Sequence, residues 1–236
     1  FADRLALCGA DNDGARYVLQ PDVFVHLARM ECGVGGEIQL TDSLAKLVDD
    51  LLDVQRIDNE GFKLKREKLD LNPLAETALS RIQSYQSQKF IAFSLETDGA
   101  ALCVDGDPQR LGQVLANILS NAIKFSKDPG EVRIRLSRTD TTAEIRISDN
   151  GIGIPEEARD TVFGRFTQVE SPGSRTRGGS GLGMHISRQI LRQHDGTIDF
   201  ESEVGKGTTF IVTLPLWQPQ EAALVRSLSV FHNVYA

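Results

Sequence analysis

Apolar and polar positions change rhythm several times along these 236 residues. Leu40, Leu44, Leu47, Leu51 and Val54 recur at alternating steps of four and three, the heptad spacing of a helix seam. This predicts a helix from about 40 to 59, ended by Gly61, with Asp49, Asp50 and Asp53 off the seam. A stripe so narrow suits a bundle or dimer seam; a helix packed on its own domain is the alternative. Upstream, Arg16 to Leu19 reads as a short strand, Pro21-Asp22 opens a helix to about Arg29, and Gly33, Gly35 and Gly36 form a flexible turn.

After Gly61 the texture becomes mixed. Phe62 and Leu64 alternate with lysines, and Asn72-Pro73 starts a helix to about Gln86, with proline tolerated in its first turn. Ile91, Phe93 and Leu95 have the period of a strand. Asp107-Pro108 opens a helix to about Phe125 whose Leu111, Val114, Leu115, Ile118, Leu119 and Ile123 share one face. Val132, Ile134 and Leu136, then Ile145 and Ile147, make two strands joined by a turn at about 139–142. A glycine-rich stretch from Gly151 to Gly183 leads into a helix ending near His194. Strands at about 197–201 and 208–214 follow, joined through Gly205-Lys206-Gly207, and the tail from Gln218 has no clear role.

Composition narrows the class. With 40% hydrophobic and 25% charged residues the chain is ordinary globular protein. Its 26 basic against 33 acidic residues, net −7, argue against a broad basic face for nucleic acid and leave room for local basic pockets. Cys8, Cys32 and Cys103 match neither a zinc spacing nor a disulfide framework, as expected in a reducing compartment. No apolar run approaches the roughly 20 residues of a membrane helix, and the opening is not a secretory signal. The chain does not begin with Met and reads as a fragment or an engineered product. A soluble, cytoplasmic protein is expected, from a parent that could be membrane-anchored.

Four segments carry candidate chemistry. In Asn117-Ile118-Leu119-Ser120-Asn121-Ala122-Ile123-Lys124-Phe125, the two asparagines lie one turn apart on an apolar helix, with Lys124 on the same face. Their amide oxygens suit a hard cation and the lysine suits phosphate; solvent-facing amides are the plainer alternative. In Asp149-Asn150-Gly151-Ile152-Gly153-Ile154-Pro155, a strand-end carboxylate can accept from an exocyclic amine beside glycines that leave room for a flat ring, though this is also an ordinary turn. Gly178-Gly179-Ser180-Gly181-Leu182-Gly183 enters a helix and can cradle phosphate, or act only as a hinge; it is neither a Walker loop nor a dinucleotide fingerprint. Before it, Ser171 to Arg177 has the polar look of a mobile lid. Gly205-Lys206-Gly207-Thr208-Thr209-Phe210 is a tight turn entering a strand.

In this order the four segments resemble the N, G1, G2 and G3 boxes of sensor histidine kinases, with Phe163-Gly164-Arg165-Phe166 in the place of the F box. The resemblance covers about residues 40–216. It implies an α+β fold, a two-layer α/β sandwich of the histidine-kinase and gyrase ATPase type preceded by a helical dimerisation segment, with ATP under a flexible lid. It implies that Asn121 ligates Mg²⁺ with help from Asn117, that Lys124 touches phosphate beside Phe125, and that Asp149 reads the adenine amine. Gly151, Gly153 and Ile154 would line the base pocket, Gly179, Ser180, Gly181, Leu182 and Gly183 would wrap the phosphates, and Thr208 would complete the adenine side. ATP-hydrolysing relatives carry a glutamate one turn before the metal-binding asparagine; here that place is Asn117, which takes no proton at neutral pH. Transfer to a positioned nucleophile is therefore favoured over hydrolysis, with Asn117 and Lys124 as candidate catalytic residues. The sequence Phe166-Thr167-Gln168 looks like a variant of hybrid sensor kinases.

The heptad helix looks like the second helix of the kinase dimerisation hairpin, which implies a homodimer, a phospho-accepting histidine on the first helix and a receiver-domain partner. His26, the one histidine upstream, lacks the acidic neighbour and Arg-x-Pro of that first helix. His185, His194 and His232 read as surface or helix-face residues. Residues 14–45, through Arg16 to Phe24 and Gly35 to Asp42, resemble the late part of bacterial glucose-1-phosphate uridylyltransferases without that enzyme's nucleotide loop, which suggests a fusion. The expected organisation is thus 1–39 foreign segment, 40–60 dimerisation helix, 61–216 ATP-binding domain and 217–236 tail. A non-catalytic nucleotide-binding module and a remnant sugar-nucleotide enzyme are the other readings.

Overall fold

The structure, a computed structural model, describes residues 37–59, 61–84, 89–167 and 180–219, and for 37–43 and 84 the backbone alone. The expected strand and helix before residue 36, the candidate site residue Gly179, the expected lid at 171–177, His26, His232 and the tail beyond 219 lie outside these residues. The chain divides into two compact units, Phe1–Leu52 and Asp53–Ala236.

The boundary falls inside helix α1 (Glu37–Asn59). In the first unit, Leu44, Leu47 and Leu51 of the seam are exposed at 52%, 45% and 46%. In the second unit the last turns of α1 face inward. Val54 joins the core, and Asp53, read from sequence as polar face, is buried at 4%. Its carboxylate accepts from Arg110 Nη1 (3.1 Å) and Gln113 Nε2 (2.8 Å), and Arg110 lies 4.1 Å over the Phe62 ring. Leaving such a buried carboxylate without partners would be costly.

The second unit continues with β1 (Glu67–Asp70), α2 (Leu71–Ser84), β2 (Ile91–Glu96), β3 (Cys103–Gly106), α3 (Pro108–Phe125), β4 (Gly130–Arg138), β5 (Thr142–Asp149), α4 (Gly183–Gln193), β6 (Thr197–Glu203) and β7 (Gly207–Pro215). The main sheet has the order β2-β4-β5-β7-β6; β2 and β4 are parallel and the other pairs antiparallel. Alternate residues of β4, β5, β6 and β7 are buried (Val132, Ile134 and Leu136; Ala143, Ile145 and Ile147; Ile198 and Phe200; Phe210, Val212 and Leu214). That face packs on the apolar stripes of α3 and α4, while the opposite face carries ion pairs such as Arg133–Glu131 and Arg146–Glu144. One wet and one dry face is the pattern that a two-layer α/β sandwich requires. The expected α+β architecture is thus the one found.

β1 and β3 form a separate antiparallel pair in the register Leu69↔Val104. Neither was expected, and the regular structure after Gly61 begins at Glu67, later than the Phe62–Leu64 alternation suggests. Their pairing delivers the chain to Asp107, which caps α3 by accepting from the amides of Gln109 (3.0 Å) and Arg110 (3.1 Å). At the far end Lys89 Nζ donates to the free carbonyls of Ile123, Lys124 and Ser126 (2.8–3.0 Å), neutralising the negative end of the helix. α3 is thus fixed at both ends, and it carries the paired amides.

Candidate functional site

The burial of α3 separates the two asparagines. Asn117 is 6% exposed. Its amide nitrogen donates to Gly183 O (3.2 Å) and to Ser187 Oγ (3.3 Å), both on α4. A solvent-facing Asn117 is thereby excluded. Asn121, one turn on, is half-buried, and its side chain makes no hydrogen bond among the described residues. Its carbonyl oxygen has the freedom a cation ligand needs. Lys124 is half-buried on the same face, its Nζ 4.8 Å from the Phe125 ring centre.

Asp149 ends β5, with Thr208 opposite it on β7 and Ser202 opposite Thr208 on β6. Directly paired residues project to the same face, so these three close a series of apolar rows, Ile147–Phe210–Phe200 and Ile145–Val212–Ile198. Asp149 Oδ1 accepts from the Gly151 amide (2.8 Å). Burial pushes its carboxyl up to about 6, against the hydrogen bonds from the Gly151 and Thr208 amides that favour the charged form. Gly151 is packed so closely that a Cβ there would lie 2.4 Å from Phe125 O. Ile152 N donates to the same oxygen (3.2 Å), seating the loop on the end of α3. Gly153 turns with φ +73°, and the amide of Ile154 donates to Ser202 Oγ (2.7 Å).

Ser180 Oγ accepts from the Leu182 amide (3.2 Å), Gly181 takes φ +68°, and Leu182 is fully buried at the start of α4. Leu182, at the N-cap of α4, offers no side-chain cap, and none is seen among the described residues. The amides of its first turn, at the positive end of the helix dipole, are therefore available to an anion. His185 and His194 are not surface residues: they are 5% and 2% exposed. His185 accepts from Arg165 Nε (3.2 Å), and its other nitrogen lies 3.2 Å from Phe163 O. Phe163 is buried beside Phe200 (ring centres 6.0 Å apart), whereas Phe166 is 63% exposed.

Segments far apart in sequence thus meet through named contacts: α3 with the glycine turn through Asn117 and Gly183, α3 with the 149–154 loop through Phe125 and Ile152, and that loop with β7 through Asp149 and Thr208. These contacts join the three segments; Asn121 and Lys124 share α3 with Asn117 and Phe125. Sequence reasoning missed Ser202; its signal is a hydroxyl at the core-facing step after Ile198 and Phe200. Among the described residues there is no cluster of three His, Cys, Asp or Glu suited to a metal. A cation here would be held by few protein atoms, as Mg²⁺ carried on phosphates is.

Comparison with known proteins agrees. Residues 106–218 match the model of the histidine kinase-, DNA gyrase B- and HSP90-like ATPase family. The sensor protein kinase WalK of Staphylococcus aureus is 34% identical over 177 residues, covering 74% of this chain and 42% of that protein. The chain therefore spans less than half the length of the curated relatives it matches. Among solved structures, the mycobacterial sensor histidine kinase MprB is 32% identical, with a TM-score of 0.58 over 65% of this chain and 100% of that one. The catalytic domain of histidine kinase ThkA is 29% identical, with a TM-score of 0.57 over 64% of this chain and 98% of that one. The resemblance of residues 14–45 to a uridylyltransferase gains no support from these matches.

A nucleotide that needs the Asp149 carboxylate should bind progressively more weakly as pH falls below about 6, where the empty site takes up a proton. For the unliganded fold the sign is opposite. A carboxyl raised above its unfolded value stabilises the fold at low pH, and that contribution is lost as pH rises from about 4 to about 6. Calorimetric titration of an ATP analogue between pH 5 and 8 should show this slope in the native protein and a flatter profile, with weaker adenine selection, in Asp149→Asn.

Proposed function

We propose, because this chain belongs to the sensor histidine kinases and carries their ATP-binding catalytic domain, that it transfers the γ-phosphate of ATP to a histidine on another helix. The observation that supports this most is that the 149–154 loop and the start of α4 both bond to α3, the helix that carries Asn121 and Lys124. In this reading Asp149 accepts from the adenine amine, with Thr208 beside it and Gly151, Gly153 and Ile154 along the ring. Lys124, beside Phe125, and the turn Gly179, Ser180, Gly181, Leu182 and Gly183 hold the phosphates. Asn121 ligates a Mg²⁺ that arrives with the nucleotide; when bound, the ion screens the charge that develops on the transferring phosphoryl group.

Asn117 serves this chemistry by position. Its nitrogen is committed to Gly183 and Ser187, so it ties the helix of the metal ligand to the phosphate turn and leaves its carbonyl oxygen to assist the cation. An amide cannot remove a proton from water. The site therefore lacks, at that position, the base that hydrolysis needs, and a positioned histidine is the fitting acceptor.

The partners follow the same logic. Leu44, Leu47 and Leu51, exposed at heptad spacing, support a homodimer through α1. ThkA has been solved with the response regulator protein TrrA, which supports a receiver domain as the next phosphate acceptor. An ATP-dependent domain of this kind works on the cytoplasmic side; among the described residues no helix is long and apolar enough to cross a membrane.

Incubation with γ-labelled ATP and an intact dimerisation hairpin supplied in trans tests the proposal. Acid-labile label on the hairpin histidine is expected. Nucleotide binding without transfer would instead identify a non-catalytic binding module.

A further inference from the structure

The row Asp149–Thr208–Ser202 allows the hydroxyl protons to be placed by counting. Ser202 Oγ has three neighbours: the Ile154 amide (2.7 Å), Gly207 O (3.0 Å) and Thr208 Oγ1 (2.9 Å). A serine hydroxyl has one proton and two lone pairs. The amide of Ile154 can only donate, so it takes one lone pair. Gly207 O can only accept, so it takes the single proton. The second lone pair of Ser202 then faces Thr208, and the proton on that contact must come from Thr208. With its one proton spent on Ser202, Thr208 Oγ1 has nothing left to donate. Towards its other neighbours it is an acceptor alone.

We infer that Ser202 is a specificity-determining positioning residue: it fixes Thr208 as an acceptor, so that the base end of the site demands a ring edge that donates hydrogen bonds. The inference rests on the ATP reading and deepens it. Asp149, ionised at neutral pH, is also an acceptor only, and it lies opposite Thr208 in the β5–β7 register. Two acceptors side by side match an exocyclic amine, which has two hydrogens, and reject a ring carbonyl at the same place. A buried acceptor set against another acceptor is left unpaired, which makes the rejection stronger than the preference.

The same hydroxyl holds the pocket's shape. The β6–β7 turn clasps the 149–154 loop through Ile154 N to Ser202 and Gly205 N to Ile152 O (2.8 Å). The second of these, and the bond from Ile152 N to Phe125 O (3.2 Å), involve neither Ser202 nor Thr208 side chains, so the loop keeps anchors when the hydroxyl is removed. Selectivity can therefore change without collapse of the site.

Binding of Mg·ATP, Mg·GTP and the triphosphate of purine riboside, which lacks the amine, should be compared by calorimetry on the full chain. Native protein should prefer ATP over both. Ser202→Ala frees the Thr208 hydroxyl to turn and donate, so the ATP-to-GTP preference should fall at least about fivefold. Thr208→Val should lower it similarly, the double variant should add little more, and Ser202→Thr, which keeps the hydroxyl, should stay within about twofold of native. An equal loss for all three ligands in Ser202→Ala, or an unchanged preference, would overturn the inference while leaving the ATP site intact. Native protein that binds none of the three would overturn the ATP reading itself, and this inference with it.

Discussion

Gly207→Ala is expected to lower stability by on the order of 3 kcal/mol and to abolish nucleotide binding at concentrations that saturate the native protein. Gly207 opens β7 with φ +124°, a conformation L side chains rarely adopt. A Cβ built there lies 1.9 Å from Asp149 O, 2.8 Å from Asp149 C and 2.9 Å from Asn150 Cα. All three are backbone atoms, so no side chain can rotate away. The β5–β7 pairing must open at Asp149, the residue proposed to read the base. Thermal unfolding should show a fall of roughly 6–12 °C. Gly205→Ala is the control: its φ is +83°, but nothing lies within 4 Å of the added carbon. It should cost only the backbone strain, about 1 kcal/mol, and leave binding nearly intact. Equal behaviour of the two variants would show that close packing against Asp149 does not govern the site.

Asn121→Ala should separate function from stability in the opposite way. Losing one oxygen ligand to a charged group costs about 2 kcal/mol, or roughly 30-fold in Mg-dependent affinity. Affinity measured with excess chelator should hardly change. Alanine is the better helix former and the Asn121 side chain makes no hydrogen bond among the described residues, so the melting temperature should hold or rise. Asn117→Ala contrasts with it. There the lost donor leaves the buried Ser187 Oγ short of a partner and breaks the tie to Gly183 O, at a cost of about 1–3 kcal/mol. Unchanged Mg²⁺ dependence in Asn121→Ala would remove Asn121 from the metal site.

Much of this architecture is written in local patterns. α3 and α4 carry stripes at helical spacing, and β4 to β7 alternate with one wet and one dry face, so periodicity places them within about two residues of their observed bounds. β1 and β3 are invisible to such reasoning. Glu67-Lys68-Leu69-Asp70 and Cys103-Val104-Asp105-Gly106 hold too few apolar residues for a period, and each becomes a strand because the other lies beside it. The site divides likewise. Residue types and their order indicate amides, carboxylate and glycines, but the paired asparagines look equivalent in sequence. They differ because α4, more than sixty residues on, meets only Asn117. The burial of Asp53, of His185 and of His194 depends in the same way on partners distant in the chain.

The buried Asp53 clasp has a mechanical corollary. Because its carboxylate accepts from Arg110 and Gln113 on the helix that also holds Asn121, the final turns of α1 are bonded directly to that helix. A twist imposed on those turns would reach the proposed triphosphate end without passing through any loop.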